Sequence, residues 1–73
     1  MTPSQCRAAR ALIDWTQPHL AKAAKLGVST VIDFEKERRQ VSDAAVLAMR
    51  NALAREGVEF TNGRRPGVRL RKE

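Results

Sequence analysis

Two short helical patterns with a tight turn between them occupy residues 16–35, which read TQPHLAKAAKLGVSTVIDFE. Thr16 can cap the amides of the first helix, and Pro18 lies in its first turn, where a missing N–H is harmless. Gly27 can serve as the N-cap of the second helix. A helix of about two turns is not stable alone in water, so neighbouring helices must support it. This segment therefore predicts a small all-α domain.

The second of these helices has two different faces. Its inward stripe consists of Val31, Phe34 and the stem of Glu35. The residues that we expect to point outward are Val28, Ser29, Ile32, Asp33 and Lys36. Because the inward stripe is needed to hold the helix in place, the outward face is the surface that it can present to a partner.

This pattern resembles helices 2 and 3 of the lambda-repressor-like (Xre/Cro type) DNA-binding domains. Their pattern is Gln-x-x-Leu-Ala, a turn, an apolar residue, and then Ser/Thr-(Ile/Val)-x-x-(Trp/Phe/Leu)-Glu. The matching residues are Gln17, Leu20, Ala21, Thr30, Val31, Phe34 and Glu35. The segments CRAARALIDW, GVEF and GVRL look like a compact bacterial branch of the family, so the resemblance covers nearly all 73 residues. Lys25 replaces the usual turn Gly, and Gly27 replaces the usual Ser/Thr cap.

The resemblance implies a four-helix helix-turn-helix domain over residues 1–57, followed by a C-terminal hairpin and basic tail over 58–73. It implies a homodimeric transcriptional regulator that places helix 3, about residues 28–35, in the major groove of double-stranded DNA. A cytoplasmic location is expected because the single cysteine, Cys6, cannot form an internal disulfide. Base contacts are expected from the exposed residues of helix 3, and a phosphate contact from Gln17 at the start of helix 2. The expected DNA-binding residues are Gln17, Val28, Ser29, Thr30, Asp33, Lys36, Arg38 and Arg39.

Helix 1 is predicted to begin with a capping box, in which Thr2 is the cap, Pro3 is the first helical residue and Gln5 reaches back. It should run to about Trp15. Arg7 and Asp14 should face solvent. Its predicted buried stripe consists of Cys6, Ala9, Leu12 and Ile13.

Arg10 falls among these inward positions. The family resemblance implies that it pairs with Glu35, the residue that closes helix 3. Such a pair would hold helix 1 to helix 3 and specify their register, without necessarily adding net stability. The alternative is that both residues are independent surface charges.

Ser42 can cap a fourth helix that buries Val46, Met49 and Leu53 and ends before Gly57. The sequence then alternates with period two over 58–60 and 68–70, with a turn-rich loop between, which predicts a two-stranded hairpin. An isolated hairpin is marginal in water. Its four apolar side chains must therefore pack either on helix 4 or on another copy of the chain. The second option would make a dimer.

The formal net charge of +6 favours a polyanionic partner. Residues 61–73 contain five Lys or Arg and one Glu, so the tail is a basic arm. Such arms also occur simply as solubilising termini. The charged segment 36–40 directly follows helix 3, where the DNA backbone would pass, and is predicted to be a loop that contacts phosphate.

Other chemistry has little support in the sequence. Cys6 and His19 are single residues without ligands at metal spacing, and no glycine-rich phosphate loop or catalytic pocket is expected, so we predict neither enzyme activity nor a metal or cofactor. No signal peptide or membrane span is predicted. The alternative function is a protein-interaction module, antiactivator or antitoxin-like, that retains the fold. Its support is the exposed apolar pair Val28 and Ile32 and the negative charge of Asp33.

Overall fold

The computed structural model describes residues 1–71, in which four helices precede a two-stranded antiparallel hairpin. The elements are α1 (Pro3–Leu12), α2 (Gln17–Ala24), α3 (Val28–Glu35), α4 (Asp43–Arg55), β1 (Val58–Thr61) and β2 (Gly67–Leu70). The predicted four helices and C-terminal hairpin are thus confirmed. Lys72 and Glu73, the end of the predicted basic tail, lie outside the described residues.

The helix starts follow the predicted capping residues. At α1 the Thr2 hydroxyl accepts a hydrogen bond from the Gln5 amide at 3.1 Å, and the Gln5 side-chain oxygen accepts one from the Thr2 amide at 2.9 Å. Thr16 and Ser42 accept equivalent bonds at the starts of α2 and α4. Gly27 precedes α3 in an extended conformation without a side-chain bond. The three hydroxyl caps satisfy amides that lack partners inside their helices.

Two expectations for α1 are wrong. The helix ends at Leu12 instead of about Trp15, because Ile13 is its C-cap and Asp14 adopts a left-handed φ of 57°. Asp tolerates this conformation better than most non-glycine residues. Leu12 is the last residue of the shortened helix, and at 41% exposure it does not belong to the buried stripe. Gln5 is buried there instead, at 4% exposure.

The core lies where the four helices meet and continues beneath the hairpin. Most of its fully buried residues are small or aliphatic, so the helices can approach closely. Gly57 turns the chain from α4 into β1 with a φ of 94°. The buried apolar residues are Cys6, Ala9, Leu20, Ala21, Val31, Val41, Met49, Ala52, Leu53 and Val58.

The hairpin packs on its own chain, and mainly on α1, which the sequence did not indicate. Val58 pairs with Leu70, and Phe60 pairs with Val68. Val58 is buried and Phe60 and Val68 pack against the core, whereas Leu70 is 40% exposed. Contacts reach α4 as well, but those of β2 with α1 are the most extensive. The apolar face therefore has a covering surface within the same chain.

Gln5 joins α1 to the loop end of the hairpin. Its side-chain nitrogen donates to the Thr61 carbonyl at 2.9 Å and to the Gly67 carbonyl at 3.0 Å. Both strands are therefore anchored by one buried amide that also completes the helix cap. Within the described residues, no helix has the length and apolar character needed to cross a membrane.

Candidate nucleic-acid interface

The connection between α2 and α3 is a tight turn centred on a left-handed residue. Lys25 has φ 60° and ψ 44°, and its amide donates to the Lys22 carbonyl at 3.1 Å. The Leu26 amide donates to the Ala21 carbonyl at 2.8 Å, which ends α2. This conformation costs a non-glycine residue about 1 kcal/mol, and Lys25 adopts it at the position where the family usually has glycine. After the turn α3 packs against α2, with Val28 and Ser29 at the surface.

The exposed surface of α3 is smaller than the sequence suggested. Val28 is 40% exposed, and Ser29 and the C-cap Lys36 are exposed as predicted. Two residues that were expected to point fully outward, Ile32 and Asp33, are only half-exposed. Thr30 is also half-buried, and its amide donates to the Gly27 carbonyl at 3.1 Å. The most accessible side chains of α3 therefore belong to its first turn and to its C-terminal end.

A buried carboxylate at the end of α3 joins three helices. Glu35 is 1% exposed and accepts two hydrogen bonds from the Arg10 guanidinium, each at 2.7 Å. Gln17 donates to the same carboxylate at 3.0 Å and the Cys6 thiol at 3.1 Å. The predicted contact between Arg10 and Glu35 is present, and Arg10 also donates to the Trp15 carbonyl at 2.9 Å.

This network also determines the ionisation of the carboxylate. Burial alone would raise the pKa of Glu35, but the hydrogen bonds from Arg10, Cys6 and Gln17 and the positive charge of Arg10 outweigh it and lower that pKa. Burial, followed by the hydrogen bond to Glu35, raises the pKa of the Cys6 thiol well above its usual range. Glu35 is thus a charged group held in the core, and Cys6 is an unreactive thiol.

Arg7 makes side-chain hydrogen bonds, although the sequence predicted only that it would face solvent. It is exposed, but its guanidinium donates to the Glu35 main-chain carbonyl and to the Ser4 hydroxyl. A cation near the last carbonyls of a helix is favourable, because those carbonyls carry partial negative charge. The sequence could have indicated that Arg7 lies near Glu35, because Arg7 comes three residues before Arg10 on α1 and residues i and i+3 share a helix face.

Gln17 faces α3 rather than projecting freely from the start of α2. Its side-chain nitrogen donates to Glu35, so one of its two N–H groups is already used. The second N–H is the one left for a phosphate. The expected phosphate contact thus depends on a side chain that the Glu35 carboxylate also orients.

Asp33 and Arg39, predicted separately as a base contact and a phosphate contact, are bonded to each other. Arg39 Nε lies 2.9 Å from Asp33 Oδ2, and the Arg38 amide donates to the Asp33 main-chain carbonyl at 2.9 Å. Glu37 has a left-handed φ of 56°, which turns the chain back toward α3. The 36–40 segment is exposed, as predicted for a loop.

Two basic loops lie on either side of the start of α1. Met1 and Pro3 line a groove with Phe34, Glu37 and Arg39. On the other side, Thr2, Ser4 and Gln5 line a groove with Pro66 and Gly67, next to the exposed Arg64 and Arg65 of the hairpin loop. Two of the four arginines of the described tail, Arg64 and Arg65, therefore lie in a loop that is anchored on α1.

An aromatic pair lies partly at the surface. His19 is exposed and stacks on Trp15 with ring centroids 4.3 Å apart. No group of three or more His, Cys, Asp or Glu within residues 1–71 could hold a metal ion.

Models of known protein families do not match this chain. A comparison with curated protein sequences also finds no match.

Proposed function

We propose that this chain is a lambda-repressor-like helix-turn-helix protein of the Xre/Cro type, which binds double-stranded DNA sequence-specifically and regulates transcription as a homodimer. In this proposal α2, the turn at Lys25 and α3 form the helix-turn-helix, and α3 enters the major groove. The observation that supports it is that the negative charges of α3 are compensated by arginines. Both of its carboxylates are paired with arginine, while its first turn exposes Val28 and Ser29.

The pairing of the two carboxylates matters because DNA phosphates repel negative charge. Glu35 is buried with Arg10, so it does not contribute an exposed charge. Asp33, which would otherwise argue against DNA, has the guanidinium of Arg39 beside it. Besides the paired Arg39, the exposed loop after α3 contains the basic residues Lys36 and Arg38 and one acidic residue, Glu37. This surface is therefore suited to a polyanion.

The individual side chains fit different parts of a duplex. Ser29 can donate or accept a hydrogen bond at a base edge, and Val28 can contact a thymine methyl group. Lys36 and Arg38 are exposed cations at the end of α3, where the DNA backbone would pass. The free N–H of Gln17 can reach a phosphate beside the N-terminal amides of α2.

The proposed dimer follows from the geometry of the duplex, whose successive major grooves on one face are roughly 34 Å apart. Two copies of α3 at that separation would each enter one groove. A dimer would also double the number of phosphate contacts.

The test is a fluorescence anisotropy titration of the full-length chain with the duplex upstream of its own gene. The titration is repeated at two salt concentrations and with random-sequence competitor. We expect binding that resists the competitor and weakens steeply with salt. Affinity that is equal for the chosen and random duplexes would contradict sequence-specific regulation.

The second candidate function is a protein-interaction module with the same fold. It is favoured by Val28, which is 40% exposed and lies one turn before the half-exposed Ile32. An apolar pair at this spacing suits a groove on a protein partner. Failure to bind any duplex at low salt, together with Val28-dependent capture of a protein in a pull-down, would favour this alternative.

A further inference from the structure

The ion pair between Asp33 and Arg39 joins the last half of α3 to the loop that follows it. Arg39 uses its Nε to contact Asp33 Oδ2 at 2.9 Å. The side chain of Asp33 is 23% exposed, whereas that of Arg39 is 52% exposed. Within the described residues the two terminal nitrogens of Arg39 make no hydrogen bond. The free end of the guanidinium is therefore available at the surface while its inner edge is held.

We propose that Arg39, oriented by Asp33, reads a guanine in the major groove; this inference rests on the proposed function. Guanine presents O6 and N7 as adjacent acceptors, and two parallel N–H groups of a guanidinium match them. The terminal nitrogens of Arg39 form such a pair. Asp33 restricts the rotation of the arginine side chain, so less conformational entropy is lost when the base is bound.

The same ion pair makes Arg39 a poor phosphate contact. A phosphate would meet a guanidinium whose charge is already compensated by a carboxylate a few ångströms away. Such a pair releases fewer counterions than an isolated cation does. Arg38 differs, because it is exposed and has no carboxylate partner among the described residues. The two neighbouring arginines therefore have separate roles, with Arg38 on phosphate and Arg39 on a base.

Asp33 acts in this arrangement as a positioning residue. One of its carboxylate oxygens is bonded to Arg39, and most of its side chain is covered. A direct contact with a cytosine amino group would have to use the remaining acceptor sites of a side chain that is mostly covered. The expectation that Asp33 itself faces a base is thereby replaced by an indirect role through Arg39.

The experiment begins with selection of the preferred duplex from a random pool by the full-length wild-type chain. Arg39→Ala, Arg38→Ala and Asp33→Asn are then titrated with that duplex, with each single-base variant of it, and with random DNA at several salt concentrations. Arg38→Ala is the matched control, because it removes the same side chain from the adjacent position. Thermal unfolding of each variant verifies that it is folded.

Arg39→Ala should lower discrimination at one G·C pair per half-site by about 10- to 100-fold, with the salt dependence of binding nearly unchanged. Arg38→Ala should weaken all duplexes equally and reduce the magnitude of the log–log salt slope by about 0.9 per lost contact. Asp33→Asn should change the affinity for random DNA and the preference for guanine in opposite directions. Random DNA should bind more tightly because a negative charge is lost, while the preference for the guanine decreases.

The inference is overturned if Arg39→Ala weakens every duplex equally and reduces the salt slope as Arg38→Ala does. It is also overturned if Asp33→Asn leaves the guanine preference intact, since the carboxylate would then not orient Arg39. Absence of binding by the wild-type chain to any duplex at low salt would instead refute the proposed function. Those outcomes are distinguishable, because the first two require a wild-type chain that selects a sequence.

Discussion

Glu35 makes the largest number of side-chain hydrogen bonds among the residues that hold α3. It is 1% exposed, and it would be very costly to bury as an isolated charge. Arg10, Gln17 and Cys6 supply four donors to its two oxygens, so its acceptors are satisfied. Any change at one of these donors should therefore alter both the stability of the chain and the position of α3.

The first prediction is that Arg10 and Glu35 are strongly coupled. Arg10→Met and Glu35→Gln should each cost about 3 kcal/mol, because the surviving charge is left uncompensated. A double-mutant cycle on urea unfolding measures the coupling energy. The exposed pair of Arg69 and Glu59, joined at 2.6 Å, is the matched control and should couple by no more than about 1 kcal/mol. A coupling energy of zero for the buried pair would refute this prediction.

The second prediction concerns the pH dependence of stability. The pKa of Glu35 is lowered in the folded chain from an ordinary value of 4.5. Below that pH the unfolded chain binds a proton that the folded chain does not, so its contribution to stability falls as pH falls toward the folded pKa. Above that pH the contribution is fully present. Urea unfolding of wild type and Glu35→Gln should therefore converge below about pH 4.5. A constant difference down to pH 3 would contradict the lowered pKa.

At the scale of elements, Gln5 determines how the hairpin sits on α1. Its side-chain amide bonds to Thr61 and Gly67, the residues at the loop end of the two strands. Its oxygen meanwhile completes the cap of α1. One side chain thus couples the start of the first helix to the last element of the described chain.

The third prediction follows from that coupling. Gln5→Ala leaves two strand carbonyls without their donor and should destabilise the hairpin by about 1–3 kcal/mol. Hydrogen exchange of the strand amides measures this locally. Thr2→Ala is the control, because it removes the cap hydroxyl but leaves both bonds from Gln5 to the strands. If the two variants accelerate exchange of the strand amides equally, Gln5 acts only as a cap residue.

Caps and hydrophobic periodicity are local properties, and they predicted most of the element boundaries. Ser42 and Thr16 were recognisable as caps, and alternation of apolar residues predicted the strands of the hairpin. Helix 1 was predicted about three residues too long, because neither glycine nor proline marks its end and the stop depends on the left-handed Asp14. The covering of the hairpin by α1 is a contact between distant segments, so no local pattern indicated it.

The candidate site was predictable to a similar extent. The pair of Arg10 and Glu35 followed from charged residues at inward positions combined with the family resemblance. Cys6 as a donor to Glu35 was not predicted, and nor was the bond between Arg39 and Asp33. Both depend on how side chains from different segments meet. The reversal of the chain at Glu37, a residue type that rarely adopts positive φ, gave no signal in the sequence.

For the whole molecule, the hairpin bears on how the chain could dimerise. Val58, Phe60 and Val68 pack against the core of their own chain, so their burial does not require a second copy. Leu70, at 40% exposure, is the most exposed of the four apolar strand side chains. The homodimer in the proposed function therefore needs its own test by sedimentation.

The fourth prediction is that Leu70→Ser does not change the sedimentation mass of the chain at high micromolar concentration. Its physical reason is that the apolar face of the hairpin is covered by α1 and α4 in the same chain. Leu47→Ser, which changes a residue that is 54% exposed on α4, is the matched comparison. A wild-type dimer that Leu70→Ser dissociates would show that the hairpin forms the interface.

The fifth prediction concerns the division of DNA affinity between base contacts and the net charge of +6. The exposed part of α3 before Lys36 carries no basic residue, so the affinity should come mainly from loops on phosphate. Arg64→Ala should then weaken chosen and random duplexes equally and reduce the magnitude of the log–log salt slope by about 0.9 per contact.

Ser29→Ala should instead relax the preference at one base pair by about 1–3 kcal/mol and leave the slope unchanged. In a dimer that relaxation should appear at two symmetric positions about 10 bp apart. If Ser29→Ala and Val28→Ala both leave the preferred sequence unaltered, the first turn of α3 does not read bases.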